Sequence, residues 1–263
     1  MNPILDNQGH LPRPYPIREV HVENPTTRTF VLDGEMQAVP GQFVMAWLPG
    51  MDEKPFSLSG SAPIALTVDR VGPFTAAMHG LMAGDRLWLR GPFGQGFTLR
   101  QGPLLIVSGG CGAAPLLYLA QVARQAGRQV LAVLGARTAP ALLFPGRFAE
   151  MGCSVTVATD DGSAGEKGTA IDVASSILQQ GAVQVDTLYA CGPEAMLQAA
   201  YRLAQLGGLH CQLSYEAYMR CGIGVCGSCA RGGCLVCRDG PVFHHPPACW
   251  GATSASPLRG EVG

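Results

Sequence analysis

The chain has 263 residues, enough for one large domain or two ordinary ones around a sizeable core. Forty-seven per cent of residues are hydrophobic and 14% charged, which argues against disorder; a net charge of −1 with no Lys/Arg run offers nothing to a nucleic acid or an anionic membrane. Ten cysteines would suit a small disulfide scaffold, but the start "MNPILDNQGHLPRPYP" lacks a basic end followed by an apolar run, and half the cysteines sit together. That usage favours metal or redox chemistry in a reducing compartment.

The first hundred residues read as β structure. "EVHVENPTTRTFVLDG", "GQFVMAWLPG", "PFSLSG", "IALTVDRVG" and "DRLWLRGPFG" are short runs rich in Val, Phe, Leu and Thr between Gly/Pro/Asn/Asp turns, the pattern of a small antiparallel barrel or sandwich. Near residue 101 the rhythm changes. "PLLIVSGG" suits a strand buried on both faces and "APLLYLAQVARQAG" a helix; "QVLAVLGA" with "ALLFPGRFAEMG", "SVTVATDDG" with "TAIDVASSILQQG", and "DTLYACG" with "PEAMLQAAYRLAQLG" repeat the unit. Four strand-then-helix units predict a doubly wound parallel sheet. Residues 103–123 carry no charge, yet the glycines at 109, 110 and 112 would break a membrane helix, so a strand, a turn and a buried helix are expected there. The last fifty residues hold the cysteine cluster and then "HHPPACWGATSASPLRGEVG", expected to have little regular structure. The predicted organisation is an antiparallel β-barrel over 1–100, an α/β domain over 101–210 and a small module with its tail over 211–263.

Four constellations carry chemistry. Cys221, Cys226 and Cys229 give C-x4-C-x2-C, with Cys234 and Cys237 following, which is the order of gaps in plant-type [2Fe-2S] ferredoxins. Zinc is the alternative, since Cys226/Cys229 and Cys234/Cys237 are two CxxC pairs; only four residues separate the pairs, and zinc leaves Cys221 without a role. "SGGCGAAP", residues 108–115, is a Gly-rich strand-to-helix turn able to meet a phosphate, or simply a tight turn. "YACGPEAM", residues 189–196, sets Cys191-Gly192-Pro193 at the carboxyl edge of the sheet, where such folds bind ligands. "DEKPFSLSG", residues 52–60, offers a cation and a hydroxyl on an extended segment, alongside "RVGPFTAAMHG" and "RGPFGQGF".

In this order, K-P-x-S, G-G-x-G-x-x-P, C-G-P and C-x4-C-x2-C resemble the ferredoxin-reductase superfamily across essentially the whole chain. Within it the chain is most similar to the electron-transfer subunits of type B, NAD-linked dihydroorotate dehydrogenase, where the fourth cysteine precedes "x-D-G-P-V-F". Here Cys237 precedes "RDGPVF", so the resemblance implies Cys221, Cys226, Cys229 and Cys237 as ligands and leaves Cys234 a bystander. It implies FAD on the barrel, with Lys54, Pro55, Phe56 and Ser57 at the flavin and Thr67, Val68, Phe74 and Thr75 along the rest of the cofactor. It further implies a nicotinamide nucleotide site shaped by Gly109, Gly110, Gly112, Cys191, Gly192 and Pro193. The implied protein is cytoplasmic. Its electrons come from an FMN-containing catalytic partner in a heterotetramer and leave on NAD+.

Three departures stand out: Lys54 replaces a common Arg, Cys111 takes a position that is often Gly, and only seven residues separate Cys229 from Cys237. Two other readings stay open: a reductase subunit of a cytoplasmic hydrogenase or sulfur reductase, and a zinc-stabilised nucleotide-binding regulator. Arg137 in "LGARTA" leaves NAD against NADP undecided.

Overall fold

The computed structural model describes residues 11–246; the first ten residues and the tail from 247 on, which includes most of the segment expected to be irregular, lie outside the described residues. Strands β1 (Arg13–Val22), β2 (Thr27–Leu32), β3 (Phe43–Trp47), β4 (Glu53–Ser61) and β5 (Ile64–Asp69) are followed by helix α1 (Pro73–His79) and strand β6 (Arg86–Phe93). The six strands close an antiparallel barrel in the order β1-β2-β5-β4-β3-β6.

Two of these strands differ from the simplest reading of their residues. β1 begins six residues before the "EVHV" run and contains Pro14 and Pro16, which cannot donate to a ladder. The strand tolerates them because it changes partner: 13–16 pair with β6 and 17–22, with a bulge between Ile17 and Glu19, pair with β2. β3 is buried on both faces. Val44 and Ala46 enter the barrel core with Phe30 and Leu58, whereas Phe43 and Met45 join a second core with Leu213, Tyr215 and Val236. The unbroken apolar run "FVMAW" records that double burial.

The second unit runs β7 (Leu104–Gly109), α2 (Ala113–Gln125), β8 (Val130–Ala136), α3 (Pro145–Glu150), β9 (Ser154–Thr159), β10 (Glu166–Lys167), α4 (Ala170–Gln180), β11 (Thr187–Cys191), α5 (Glu194–Leu206) and β12 (His210–Ser214). The cysteine segment adds the hairpin β13 (Ala230–Arg231) and β14 (Cys234–Leu235), the short helix α6 (Val236–Asp239) and strand β15 (Val242–Phe243). The main sheet has the order β10-β9-β8-β7-β11-β12-β15, parallel throughout except for β15. Leu104 and Ile106 face α2 and α3, while Leu105 and Val107 face α4 and α5, so the sheet is covered on both sides as a doubly wound fold requires. The uncharged stretch 103–123 resolves into β7, a tight turn and α2. No helix among the described residues is long and apolar enough to cross a membrane.

The units are bolted together. Tyr118 of α2 is packed in the barrel core, its hydroxyl donating to the Ala38 carbonyl at 2.6 Å and sharing a 2.6 Å hydrogen bond with Ser61. Arg147 of α3 reaches Glu23 of the barrel at 2.7 Å. β15 returns from the cysteine segment to pair with β12, and Tyr215 donates its N–H to Pro241.

Candidate functional site

The turns after β7 and β11 leave adjacent strands at their carboxyl ends, and the two are in contact. A Cβ on Gly112 would lie 2.1 Å from the Cys191 carbonyl oxygen, so only glycine lets the first turn close on the second. Together they form a cleft of about 630 Å³ lined by Gly109, Gly110, Gly112, Gly192 and Pro193, with Arg137 and Asp160 at the far strands. Ser108, 1% exposed at the end of β7, lines this cleft, and its hydroxyl has no partner among the described residues. A buried hydroxyl without a partner is costly, and a bound polar ligand relieves it. The residues therefore fit a nucleotide.

A second cleft, of about 380 Å³, lies between the barrel and the sheet, with Pro55, Phe56 and Ser57 of β4 and Thr67 of β5 along it. Thr67 belongs to a buried hydroxyl chain, 3.0 Å from Thr29 and 3.2 Å from Ser59. Thr75 also lines the cleft, but its hydroxyl accepts from the N–H groups of Val71 and Gly72, organising the turn at the start of α1. Cys191 closes the floor. Apolar walls with a few placed hydroxyls are what a flat heteroaromatic ring needs. Three of the expected contacts lie elsewhere. Val68 is buried in the barrel core, Phe74 stacks behind Phe56 at 6.2 Å, and Lys54 is held by Asp52 at 2.5 Å with its ammonium 5.6 Å from the centre of the Tyr218 ring.

The two clefts share a wall of Asp69, Cys111, Gly112 and Glu216. Burial pushes the Cys111 thiol up to about 12, with Asp69 and Glu216 adding to it; burial and Glu216 do the same to Cys191. Both thiols are neutral at physiological pH, beside a carboxylate. Glu216 and Asp69 escaped the reading of the sequence because neither belongs to a motif. The signal that could have found Glu216 is β12, whose run "HCQLSY" ends at the sheet's carboxyl edge just before it.

The cysteines of the first constellation stand as two pairs; among the described residues no three metal-ligating side chains converge as around a single ion. Cys229 and Cys237, buried, have sulfurs 3.2 Å apart, and burial followed by the neighbouring Cys229 pushes the Cys237 thiol up to about 12. Cys221 and Cys226 form the outer pair. Burial would raise the Cys221 thiol, but the N–H groups of Cys226, Ile223 and Val225 outweigh it and hold the thiol below its ordinary value. Hydrogen bonds from Ser228 bring exposed Cys226 down to about 6. Gly224, at φ +78, turns its N–H onto the Cys237 sulfur at 3.1 Å, and the Cys237 N–H points at the Cys229 sulfur at 3.4 Å. Four thiols in two pairs, fed by backbone N–H groups, fit a two-iron cluster with two cysteines to each iron. Cys234 lies apart on β14, paired in register with Arg231.

Comparison with known proteins agrees with this division. Residues 216–245 match the family described as the iron-sulfur cluster binding domain of dihydroorotate dehydrogenase B, and residues 106–202 match the oxidoreductase NAD-binding domain. The chain is 42% identical over 229 residues to the probable dihydroorotate dehydrogenase B (NAD+), electron transfer subunit, of Methanocaldococcus jannaschii, covering 86% of this chain and 87% of that one. It is 44% identical to the protein of the same name from Thermococcus kodakarensis, covering 86% and 94%. Among solved structures, an NADH-dependent reduced ferredoxin-NADP oxidoreductase described for flavin-based electron bifurcation superposes with a TM-score of 0.78 at 28% identity, covering 87% of each chain. Barrel, sheet, paired thiols and these relatives agree, and the chain belongs to the family of electron-transfer subunits of NAD-linked dihydroorotate dehydrogenase B.

Proposed function

We propose that this subunit takes electrons from an FMN-containing catalytic partner that oxidises dihydroorotate, and delivers them through a [2Fe-2S] cluster and FAD to NAD+. A flavin is needed between the other two because nicotinamide accepts a hydride, two electrons at once, whereas an iron-sulfur cluster passes one. The observation that carries the reading is contiguity. The smaller cleft shares Asp69, Cys111, Gly112 and Glu216 with the nucleotide cleft on one side, and on the other Phe43 and Met219 pack in the same core as Cys229 and Cys237.

In this reading Cys221, Cys226, Cys229 and Cys237 hold the cluster. Pro55, Phe56 and Ser57 face the flavin, with Thr67, Val68, Phe74 and Thr75 shaping the barrel wall along the cofactor, while Lys54 orders the strand's entry through Asp52. Gly109, Gly110, Gly112, Cys191, Gly192 and Pro193 shape the nicotinamide nucleotide site, and Ser108 donates to the nucleotide. The neutral thiols of Cys111 and Cys191 and the side chain of Glu216 line the place where the rings meet. The three units act as a flavin barrel, a nucleotide domain and a cluster module.

The partner docks over the cluster in the cytoplasm, two subunit pairs forming the heterotetramer. In the same segment as exposed Cys226, Tyr218, Ile223 and Val225 are 63%, 40% and 79% exposed, and Arg220 and Arg238 are exposed as well. An apolar centre with a charged edge is the composition of a protein interface. The test is co-purification of the chain with an FMN-binding barrel subunit, followed by metal, flavin and activity analysis. Two irons, one FAD and dihydroorotate-dependent NADH formation only in the complex are expected, on the chemistry of the cofactors. A colourless chain loaded with zinc, or one that couples instead to a hydrogenase, overturns the reading.

A further inference from the structure

The side chain of Arg90, on β6, reaches across β3 to Glu53 on β4 and spends both arms of its fork there, Nε to Oε1 at 2.7 Å and Nη2 to Oε2 at 2.6 Å. The same Nη2 donates a third hydrogen bond, at 3.0 Å, to the backbone carbonyl of Cys221, 131 residues further along the chain. The guanidinium lies 5.4 Å from the centre of the Phe93 ring, and its side chain is 13% exposed against 19% for Glu53. Beside this contact the chain at Gly222 presses on β3 and β6. A Cβ there would come within 2.9 Å of the Met45 side chain and 3.3 Å of Phe93. Arg90 and Glu53 line neither cleft, so neither is placed to touch flavin or nucleotide.

We infer that Arg90 and Glu53 are positioning residues: together they fix the first ligand-bearing residue of the cluster loop to the strand that carries the flavin motif. The inference rests on the electron-conduit reading above. Glu53 directly precedes Lys54, so the strut ties Cys221 to the 54–57 strand through one ion pair rather than through the long connection of the intervening sheet. Arg is the residue this requires. Its planar fork can hold a carboxylate with two N–H groups and still give a third to a carbonyl, a geometry a lysine ammonium cannot reproduce. The pair is also electrically silent toward the cluster, because cation and carboxylate cancel. Removing one partner leaves a single charge beside a ligand of the redox centre.

The test uses the full chain carrying cluster and flavin, in the wild type, Glu53→Gln, Arg90→Lys and the double variant Arg90→Gln/Glu53→Gln. Two readouts are taken: the midpoint potential of the cluster by redox titration, and the rates at which NADH bleaches the flavin and then reduces the cluster in stopped flow. An arginine that has lost its carboxylate favours the more negative, reduced cluster, so Glu53→Gln raises the cluster potential. The double variant has no net charge change and returns the potential to the wild-type value, yet its flavin-to-cluster step slows about tenfold or more because the loop is no longer held in register. Arg90→Lys slows the same step without moving the potential, and flavin bleaching by NADH is unchanged throughout. A double variant that reduces its cluster at the wild-type rate, or a Glu53→Gln chain whose potential does not move, overturns the inference. Should the double variant fail to retain iron that the wild type keeps, the Glu53→Gln potential decides alone. A wild-type chain without iron or flavin sinks the conduit reading itself, a different result from either.

Discussion

At the scale of single residues, the fifth cysteine is the sharpest choice this chain presents. Spacing alone left Cys234 and Cys237 both available, and the resemblance chose Cys237. The geometry supports that choice for a reason no spacing contains: Cys237 is 1% exposed, its sulfur is 3.2 Å from that of Cys229, and it receives the Gly224 N–H, whereas Cys234 stands on the hairpin. Cys237→Ser therefore loses most of the bound iron, and Cys234→Ser keeps it, as read by iron content per chain. Ser108 tests the other cleft. Because its hydroxyl has no partner among the described residues, Ser108→Ala leaves the melting temperature of the nucleotide-free protein unchanged or slightly higher. The same variant weakens nucleotide binding by roughly fivefold, the value of one ordinary hydrogen bond of about 1 kcal/mol, measurable by titration calorimetry. Neither Ser108's isolation nor the two-cleft position of Glu216 was legible in the sequence. Both depend on strands β7, β11 and β12 lying side by side, and on what the neighbours do not offer.

At the scale of elements, what the sequence spelled clearly was periodicity, and what it hid was pairing. The strand-helix units of the sheet announced themselves through apolar runs closed by glycine, and α4 even carries its cap, Thr169 accepting from the Asp172 N–H at 3.2 Å. β1 was hidden by its prolines. β15 was hidden by its length of two residues, because its existence depends on the edge of β12 and not on its own composition. Tyr118 illustrates the same limit: in "PLLYLAQVA" it reads as one more apolar helix residue, yet its hydroxyl is the hinge pin between α2 and the barrel. Tyr118→Phe leaves the Ala38 carbonyl and the Ser61 hydroxyl short of a partner and destabilises the protein by about 1–3 kcal/mol, seen as a lower urea midpoint. The cap of α4 gives a pH prediction. Hydrogen bonds from the side chain and backbone N–H of Thr169 hold the Asp172 carboxyl below its ordinary value. A depressed folded pKa means the contribution is complete above the ordinary carboxylate range and is lost as pH falls through the folded value. Asp172→Asn therefore flattens the acid limb of the stability curve while leaving the neutral limb nearly parallel to the wild type.

At the scale of the molecule, the order of the chain is not the order of the path, which runs from the last segment to the first and then to the middle one. The barrel comes first, the nucleotide sheet second and the thiol loop last, yet the last segment folds back to touch both of the others: Cys221 through Arg90, Val242 and Phe243 through β12, and the Gln95 N–H through the Gly240 carbonyl at 2.5 Å. The fold class was legible because each unit has its own rhythm. The closure was not, since an arginine meeting a carbonyl 131 residues away leaves no local trace. This closure brings three sites built from distant parts of the chain into one contiguous body, with the flavin cleft in the middle. The central claim is that electrons cross this body from cluster side to nucleotide side. The direct measurement is anaerobic mixing of the assembled complex with dihydroorotate and NAD+, following the iron-sulfur paramagnetic signal and NADH together. The cluster signal is expected with dihydroorotate alone and is discharged on adding NAD+, and NADH formation is abolished by Cys237→Ser while the partner's oxidation of dihydroorotate by an artificial acceptor survives. NADH formed at an undiminished rate by the complex lacking the cluster would contradict the central claim.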